Sequence, residues 1–215
     1  MIHLLSVTKS TAAKHHAPQL GFYRTTIAVP TDRRVAILGG RREGKTLLLR
    51  LIARVEEPDD GIVTGATNLS PIGNSRSLLH PRLSCFDNIS MIARMMGVAA
   101  DRLIDAVDRL YPLEGDLEKP IATVDFRRRQ HIELALLSIL SFDCYLLDDA
   151  HQTPKDLLER YFDAAARRGA GMIFTTVQPR QVTEYAECAI VVRGKTARGF
   201  NRVEEAIEAY EQQPA

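Results

Sequence analysis

No stretch of this 215-residue chain stays apolar for long. The longest apolar run, Leu134 to Leu140, is broken by Ser138, whereas a membrane-crossing helix needs about 20 apolar residues. The chain is therefore not expected to span a membrane by itself. Its start does not read as a secretory signal either: Lys9, Lys14 and the pair His15–His16 follow a short apolar opening. Cysteine is scarce, odd in number and widely spaced, at Cys85, Cys144 and Cys188, with no CxxC. That argues against a disulfide framework and for buried thiols in a reducing cytoplasm. Charge of one sign is also missing. Lys and Arg number 28 and Asp and Glu 27, a net charge of +1, so no global field draws the protein onto nucleic acid or an anionic membrane. There is no repeat of fixed period and no low-complexity run.

What is present is an ordinary globular composition, 45% hydrophobic and 26% charged. The chain is long enough to bury roughly 70% of its unfolded surface without a metal or disulfide staple. Strand-like segments rich in Val, Ile and Leu are Ile2–Val7, Phe22–Val29, Val35–Leu38, Gly61–Val63, Cys144–Leu147, Met172–Val177 and Cys188–Val192. Several are apolar on both faces, as strands of a parallel sheet are. Helical patterns cover Lys45–Val55, Asp87–Met96, Asp101–Tyr111, Arg127–Ser141, Thr153–Arg168, Arg180–Glu187 and Val203–Gln212. Thr153-Pro154 reads as an N-cap followed by proline in the first helical position. Strand and helix alternate at the start and again after Cys144, which predicts an α/β fold with a mostly parallel sheet. Residues 84–141 carry helices only. Residues 1–215 are thus expected to form one domain with a helical insert at about 84–141.

Gly39-Gly40-Arg41-Arg42-Glu43-Gly44-Lys45-Thr46 matches GxxxxGK[ST] at every fixed position, follows an apolar strand and opens a helix at Leu47. Glycines let the backbone wrap closely around phosphate oxygens, and successive N–H groups at a helix start face the anion. Lys45 would reach the β- and γ-phosphates and Thr46 would ligate Mg²⁺. A second anchor for Mg²⁺ is expected from another strand. Cys144–Leu147 runs into Asp148-Asp149, at the strand end where open α/β sheets place their sites. Asp148 is the metal-ligand candidate.

The two motifs, Lys45 and Asp148, lie 103 residues apart with helices between them, an arrangement that resembles the ATP-binding subunit of ABC transporters. Glu57-Pro58-Asp59-Asp60-Gly61-Ile62-Val63 is similar to the turn after the first helix of that family. His80-Pro81-Arg82-Leu83-Ser84-Cys85-Phe86-Asp87-Asn88-Ile89 and Ser141-Phe142-Asp143-Cys144-Tyr145-Leu146-Leu147-Asp148-Asp149 resemble its capsular-polysaccharide and O-antigen exporter branch, as does Cys188-Ala189-Ile190-Val191-Val192. The resemblance covers about residues 2–195. It implies an ABC-type P-loop NTPase fold, MgATP as ligand, and a head-to-tail dimer, either with itself or with another ATP-binding subunit. It also implies a separate membrane-spanning partner and a place on the cytoplasmic face of the cell membrane. No nucleic-acid partner is expected.

Several family positions depart from the pattern. The signature sequence LSGGQ falls on Val124-Asp125-Phe126-Arg127-Arg128, with no match. The glutamine that senses the γ-phosphate and touches the membrane partner falls on His80, the catalytic glutamate on Asp149 and the switch histidine on Val177. The adenine-stacking aromatic falls on Thr11, with His15, His16 or Tyr23 as substitutes. Each departure has a mechanical meaning. Phe126 and Arg127 do not allow the close approach that glycine gives. Asp149, one methylene short, remains a weak candidate base, and a misplacement of about an ångström costs roughly 100-fold. ATP binding with impaired hydrolysis follows. A non-catalytic ATP-binding regulator, or the degenerate half of a heterodimeric ATPase, is the alternative. The run Arg127-Arg128-Arg129 at a helix start either holds an anion or is a solvated turn. His151 lies where the family's dimer interface runs, and Met91, Met95 and Met96 read as core filler.

Overall fold

The computed structural model describes residues 1–13, 16–65, 67–74 and 78–212. The strands are β1 (Ile2–Ala13), β2 (His16–Val29), β3 (Arg34–Leu38), β4 (Asp60–Thr64), β5 (Leu69–Gly73), β6 (Cys144–Leu147), β7 (Gly171–Thr176), β8 (Cys188–Arg193) and β9 (Thr196–Phe200). The helices are α1 (Lys45–Ile52), α2 (Cys85–Met95), α3 (Ala100–Leu110), α4 (Phe126–Ile139), α5 (Lys155–Ala166), α6 (Pro179–Tyr185) and α7 (Val203–Glu211). No helix among the described residues is long and apolar enough to cross a membrane.

The chain divides into two compact units. The first comprises residues 1–72, 142–152 and 169–215. It holds a six-stranded sheet in the order β5-β6-β7-β3-β8-β9 and a three-stranded antiparallel sheet β2-β1-β4. In the larger sheet β6, β7, β3 and β8 run parallel, and β9 is antiparallel to β8. All four residues of β6 and all six of β7 are buried, which is why these segments read as continuous apolar runs. One core joins Leu4 and Val29 of the small sheet to Val35, Ile37, Leu146, Ile173 and Ile190 of the large one, with Leu48, Leu49 and Ile52 of α1 packed on it. Cys85, Cys144 and Cys188 are all buried and free, and burial pushes the Cys144 thiol up to about 12.

The second unit comprises residues 73–141 and 153–168. It begins eleven residues before the expected start of the insert at Ser84 and includes α5, a helix from beyond Asp148. The reason is packing: the buried face of α5, with Leu157, Leu158, Tyr161 and Phe162, meets α4, and α3 meets α4 from another side. The expected cap at Thr153 also differs. Pro154 is the N-cap, and the Thr153 hydroxyl accepts a hydrogen bond from Asn74 Nδ2 at 2.8 Å.

Candidate functional site

The loop from Gly39 to Thr46 joins the C-terminal end of β3 to the start of α1. Leu38 pairs with Thr176 of β7, and Leu147 of β6 pairs with Phe174. The loop and Asp148 therefore leave the same end of the sheet with one strand between them. A Cβ on Gly39 would sit 2.7 Å from the Val192 carbonyl oxygen, so only glycine fits there. Gly44 has φ +91° and Arg42 φ +67°. The second is a non-glycine in the left-handed region, a strain of about 1 kcal/mol, and it sets the wrap of the loop.

Two loop side chains fold inward. Lys45 is 6% exposed, and its ammonium donates to the Gly40 carbonyl at 2.6 Å. Burial lowers its pKa, opposed by the charges of Asp149, Glu43 and Asp148. The Glu43 carboxylate accepts from the Gly40 backbone N–H at 2.5 Å. An anion of the chain's own thus sits on one of the N–H groups that a phosphate would use.

Asp148 is 7% exposed and accepts from the Thr175 hydroxyl at 2.5 Å. The Asp149 backbone N–H donates to Asp148 Oδ1 at 3.1 Å and to Thr175 Oγ1 at 2.8 Å. Asp149 itself has φ +47°, which turns its carboxylate to where Gln152 Nε2 donates to it at 3.2 Å. Burial, and then the neighbouring Asp148, raise its pKa. A raised pKa makes the carboxylate a stronger base, the direction a water-activating role needs. His151 Nδ1 lies 3.8 Å from Asp149 Oδ1, too far for a hydrogen bond, and the buried nitrogen has no hydrogen-bond partner among the described residues. Thr46 is exposed on the first turn of α1. A threonine hydroxyl and an aspartate are hard oxygen donors, the set that suits Mg²⁺.

Thr175, Thr176 and Gln181 escaped the sequence reading. Thr175 and Thr176 are fully buried. The Thr176 hydroxyl donates to Gln181 Oε1 at 2.5 Å and accepts from the Gln178 N–H at 3.0 Å, while Gln181 Nε2 reaches the Ala150 carbonyl at 3.4 Å. These bonds tie the end of β7 to the Asp148–Ala150 turn. The available signal was two hydroxyls closing an otherwise apolar buried strand. Val177 stands just past this strand end and offers no polar group. Of the adenine candidates, Thr11 and His16 lie in β1 and β2. His15 is outside the described residues. Tyr23 is 53% exposed with the Arg24 guanidinium 5.7 Å from its ring centre.

His80 and the 124–128 segment belong to the helical unit. His80 is exposed, and Asn88, wholly buried, clamps its backbone: Asn88 Oδ1 accepts from the His80 N–H at 2.6 Å and Nδ2 donates to the His80, Leu83 and Ser84 carbonyls. Asp125 is the N-cap of α4 and accepts from the N–H groups of Arg127 and Arg128. That carboxylate explains how three arginines are tolerated at a helix start. Val124 is buried, whereas Phe126 is 41% exposed. Arg128 is neither a solvated charge nor a free anion site: it pairs with the buried Asp116 and lies over the Tyr111 ring. Met91, Met95 and Met96 are exposed rather than core, because α2 buries Ile89, Ile92 and Ala93 on its other side.

No family model matches the chain. It is 26% identical over 223 aligned positions to the polysialic acid transport ATP-binding protein KpsT of Escherichia coli, covering 98% of this chain and 98% of that protein. It is 24% identical over 187 residues to the ATP-binding protein BexA of Haemophilus influenzae, covering 82% of this chain and 83% of the relative. Among solved structures it superposes on the ATP-binding cassette MJ0796, described as the dimeric structure of a post-hydrolysis state bound to ADP and Pi. The TM-score is 0.75 at 14% identity, covering 94% of this chain and 98% of that one. The chain thus has the ABC-type P-loop NTPase fold, and its sequence resembles the ATP-binding subunits of the capsular polysaccharide export branch.

Proposed function

We propose that this chain is the nucleotide-binding subunit of an ABC exporter for capsular or another cell-surface polysaccharide, binding MgATP with impaired hydrolysis. The observation that carries the reading is the convergence of the Gly39–Thr46 loop and Asp148 at one end of the parallel sheet. The curated relatives, named for polysialic acid transport and as an ATP-binding protein, point the same way. Gly39, Gly40, Arg41, Arg42, Glu43, Gly44 and Leu47 shape the phosphate loop, and Lys45 leaves the Gly40 carbonyl for the terminal phosphates. Thr46 and Asp148 would hold Mg²⁺, which would supply positive charge against the phosphates. Asp149 is the one surviving candidate base. It is held by Gln152 and by its own left-handed backbone.

The subunit works on the inner face of the cell membrane, docked on a membrane-spanning partner through the loop around His80 and the helical insert. It pairs with a second ATP-binding subunit, identical or different. A non-catalytic regulator is the second reading, favoured by the loss of the signature at 124–128 together with Asp149 and Val177. Calorimetry on Lys45→Ala tests the main reading. Loss of MgATP binding with an unchanged melting temperature is expected; equal affinity for both proteins would remove the assignment.

A further inference from the structure

The helical unit holds a cleft that the nucleotide reading leaves unused. Its volume is about 480 Å³, within the size of sites that take small organic ligands. It opens where α4 packs against α3 and α5. Four arginines line it, Arg109, Arg160, Arg167 and Arg168, against one acid, Asp156. In a chain whose bases and acids nearly cancel, that local excess is unusual. None of the four arginines makes an ion pair among the described residues. Arg109 Nε donates to the Asp105 carbonyl, and Arg168 donates to the Ala164 and Ile139 carbonyls. Those bonds orient the guanidiniums without cancelling their charge. Arg160 and Arg167 are exposed and seven residues apart, so they lie on one side of the α5 axis about 10 Å apart along it.

The rest of the cleft is not a plain charged surface. Its floor is apolar, from Leu110, Ala135, Ile139 and Leu157. One wall carries Tyr111 and His131, their rings stacked with centres 4.8 Å apart. Guanidiniums bind phosphate through paired N–H donors, and an apolar floor with an aromatic wall accepts an organic body. We propose that this cleft binds an organic phosphate, its phosphate or pyrophosphate held by Arg160 and Arg167 with Arg109 and Arg168 at the rim, and its body lying on the Leu110–Leu157 floor. The phosphate comes either from a soluble molecule or from a lipid headgroup.

The test uses the full chain carrying Lys45→Ala, so that the P-loop does not compete. Inorganic pyrophosphate and AMP are titrated by calorimetry, and phosphatidylglycerol vesicles are tested by flotation. Binding of at least one probe in the millimolar range or tighter is expected, weakened about tenfold or more by Arg160→Glu with Arg167→Glu. The control pair Arg94→Glu with Arg102→Glu, of equal charge change on helices of the same unit, should leave binding within about twofold. Binding of pyrophosphate or AMP assigns a soluble ligand, and binding of vesicles alone assigns a headgroup. No binding of any probe, or equal losses with the two pairs, overturns the site. Melting curves of each variant separate loss of binding from loss of fold, and the exposed arginines leave the core untouched.

Discussion

Replacing Glu43 by Ala should tighten nucleotide binding. The carboxylate of Glu43 accepts from the Gly40 N–H at 2.5 Å, in the loop where backbone N–H groups would meet phosphate oxygens. A nucleotide entering this loop would have to break that bond and would bring a polyanion toward a fixed negative charge. A hydrogen bond to a charged group contributes about 1.5–3 kcal/mol. Every 1.4 kcal/mol is about a tenfold change in affinity. Glu43 is half-buried, so solvent screening argues for the lower part of this range, a gain of about tenfold for Glu43→Ala. Glu43→Gln keeps the shape, removes the charge and should fall between. One effect opposes the gain. Glu43 helps hold the charge on Lys45 against burial, so the advantage should be largest at neutral or lower pH and shrink as pH rises. Calorimetric titration with MgATP across pH 6–9 reads all of this, with melting curves as the control for folding. Unchanged or weaker binding by Glu43→Ala, with its melting temperature intact, would refute the idea that the carboxylate competes with phosphate.

Three further outcomes are expected. Burial raises the Glu133 carboxyl from the usual carboxylate range to about 7, so between about pH 4.5 and 7 the folded state holds a proton that the unfolded chain releases. Stability contributed by this group is present below about pH 4.5 and lost as pH rises toward 7, about 3 kcal/mol in all; Glu133→Gln should raise the melting temperature at pH 8 and hardly at pH 4. Thr175→Val removes the hydroxyl that joins Asp148 to the Asp149 N–H; chemical denaturation should show a loss of about 1–3 kcal/mol, together with weaker Mg²⁺ dependence of nucleotide binding. Arg82→Glu and Phe86→Ala, at exposed positions beside the Asn88-clamped loop, should release the protein from membranes in fractionation while nucleotide affinity stays the same.

The parts of the fold that could be read from sequence are those whose cause is local. β6 and β7 are buried on both faces, and α1 begins at a lysine fixed by the GK[ST] motif. Partner-dependent elements were missed. β5 contains Pro71 and Ser70, poor strand residues, and is tolerated because it lies at the sheet edge. β9, Thr196–Phe200, is mostly exposed and contains Gly199; only its pairing with β8 makes it a strand. β1 and β2 run on through polar residues because each supplies the other's backbone partners as far as Ala13 and His16. The site divides in the same way. The placement of the loop 39–46 and of Asp148 at strand ends was legible because each is written in contiguous residues. The Asp148–Thr175 bond joins residues 27 apart, and the Arg128–Asp116 pair joins α4 to a turn residue 12 positions earlier. Pairings of that kind are set by packing.

A single-turnover experiment with MgATP, protein in excess, reads binding and cleavage from the same sample and addresses the central claim most directly. The account predicts that the nucleotide becomes bound at micromolar to millimolar protein and is then cleaved far more slowly than about 1 s⁻¹, the lower end of ordinary enzyme turnover. Asp149→Glu should gain little, because groups that act as a unit give non-additive effects and Val177 and the 124–128 segment remain unrepaired. Absence of bound nucleotide would contradict the assignment of the loop, and cleavage at about 1 s⁻¹ or faster by the unaltered chain would contradict the reading of its hydrolysis as impaired.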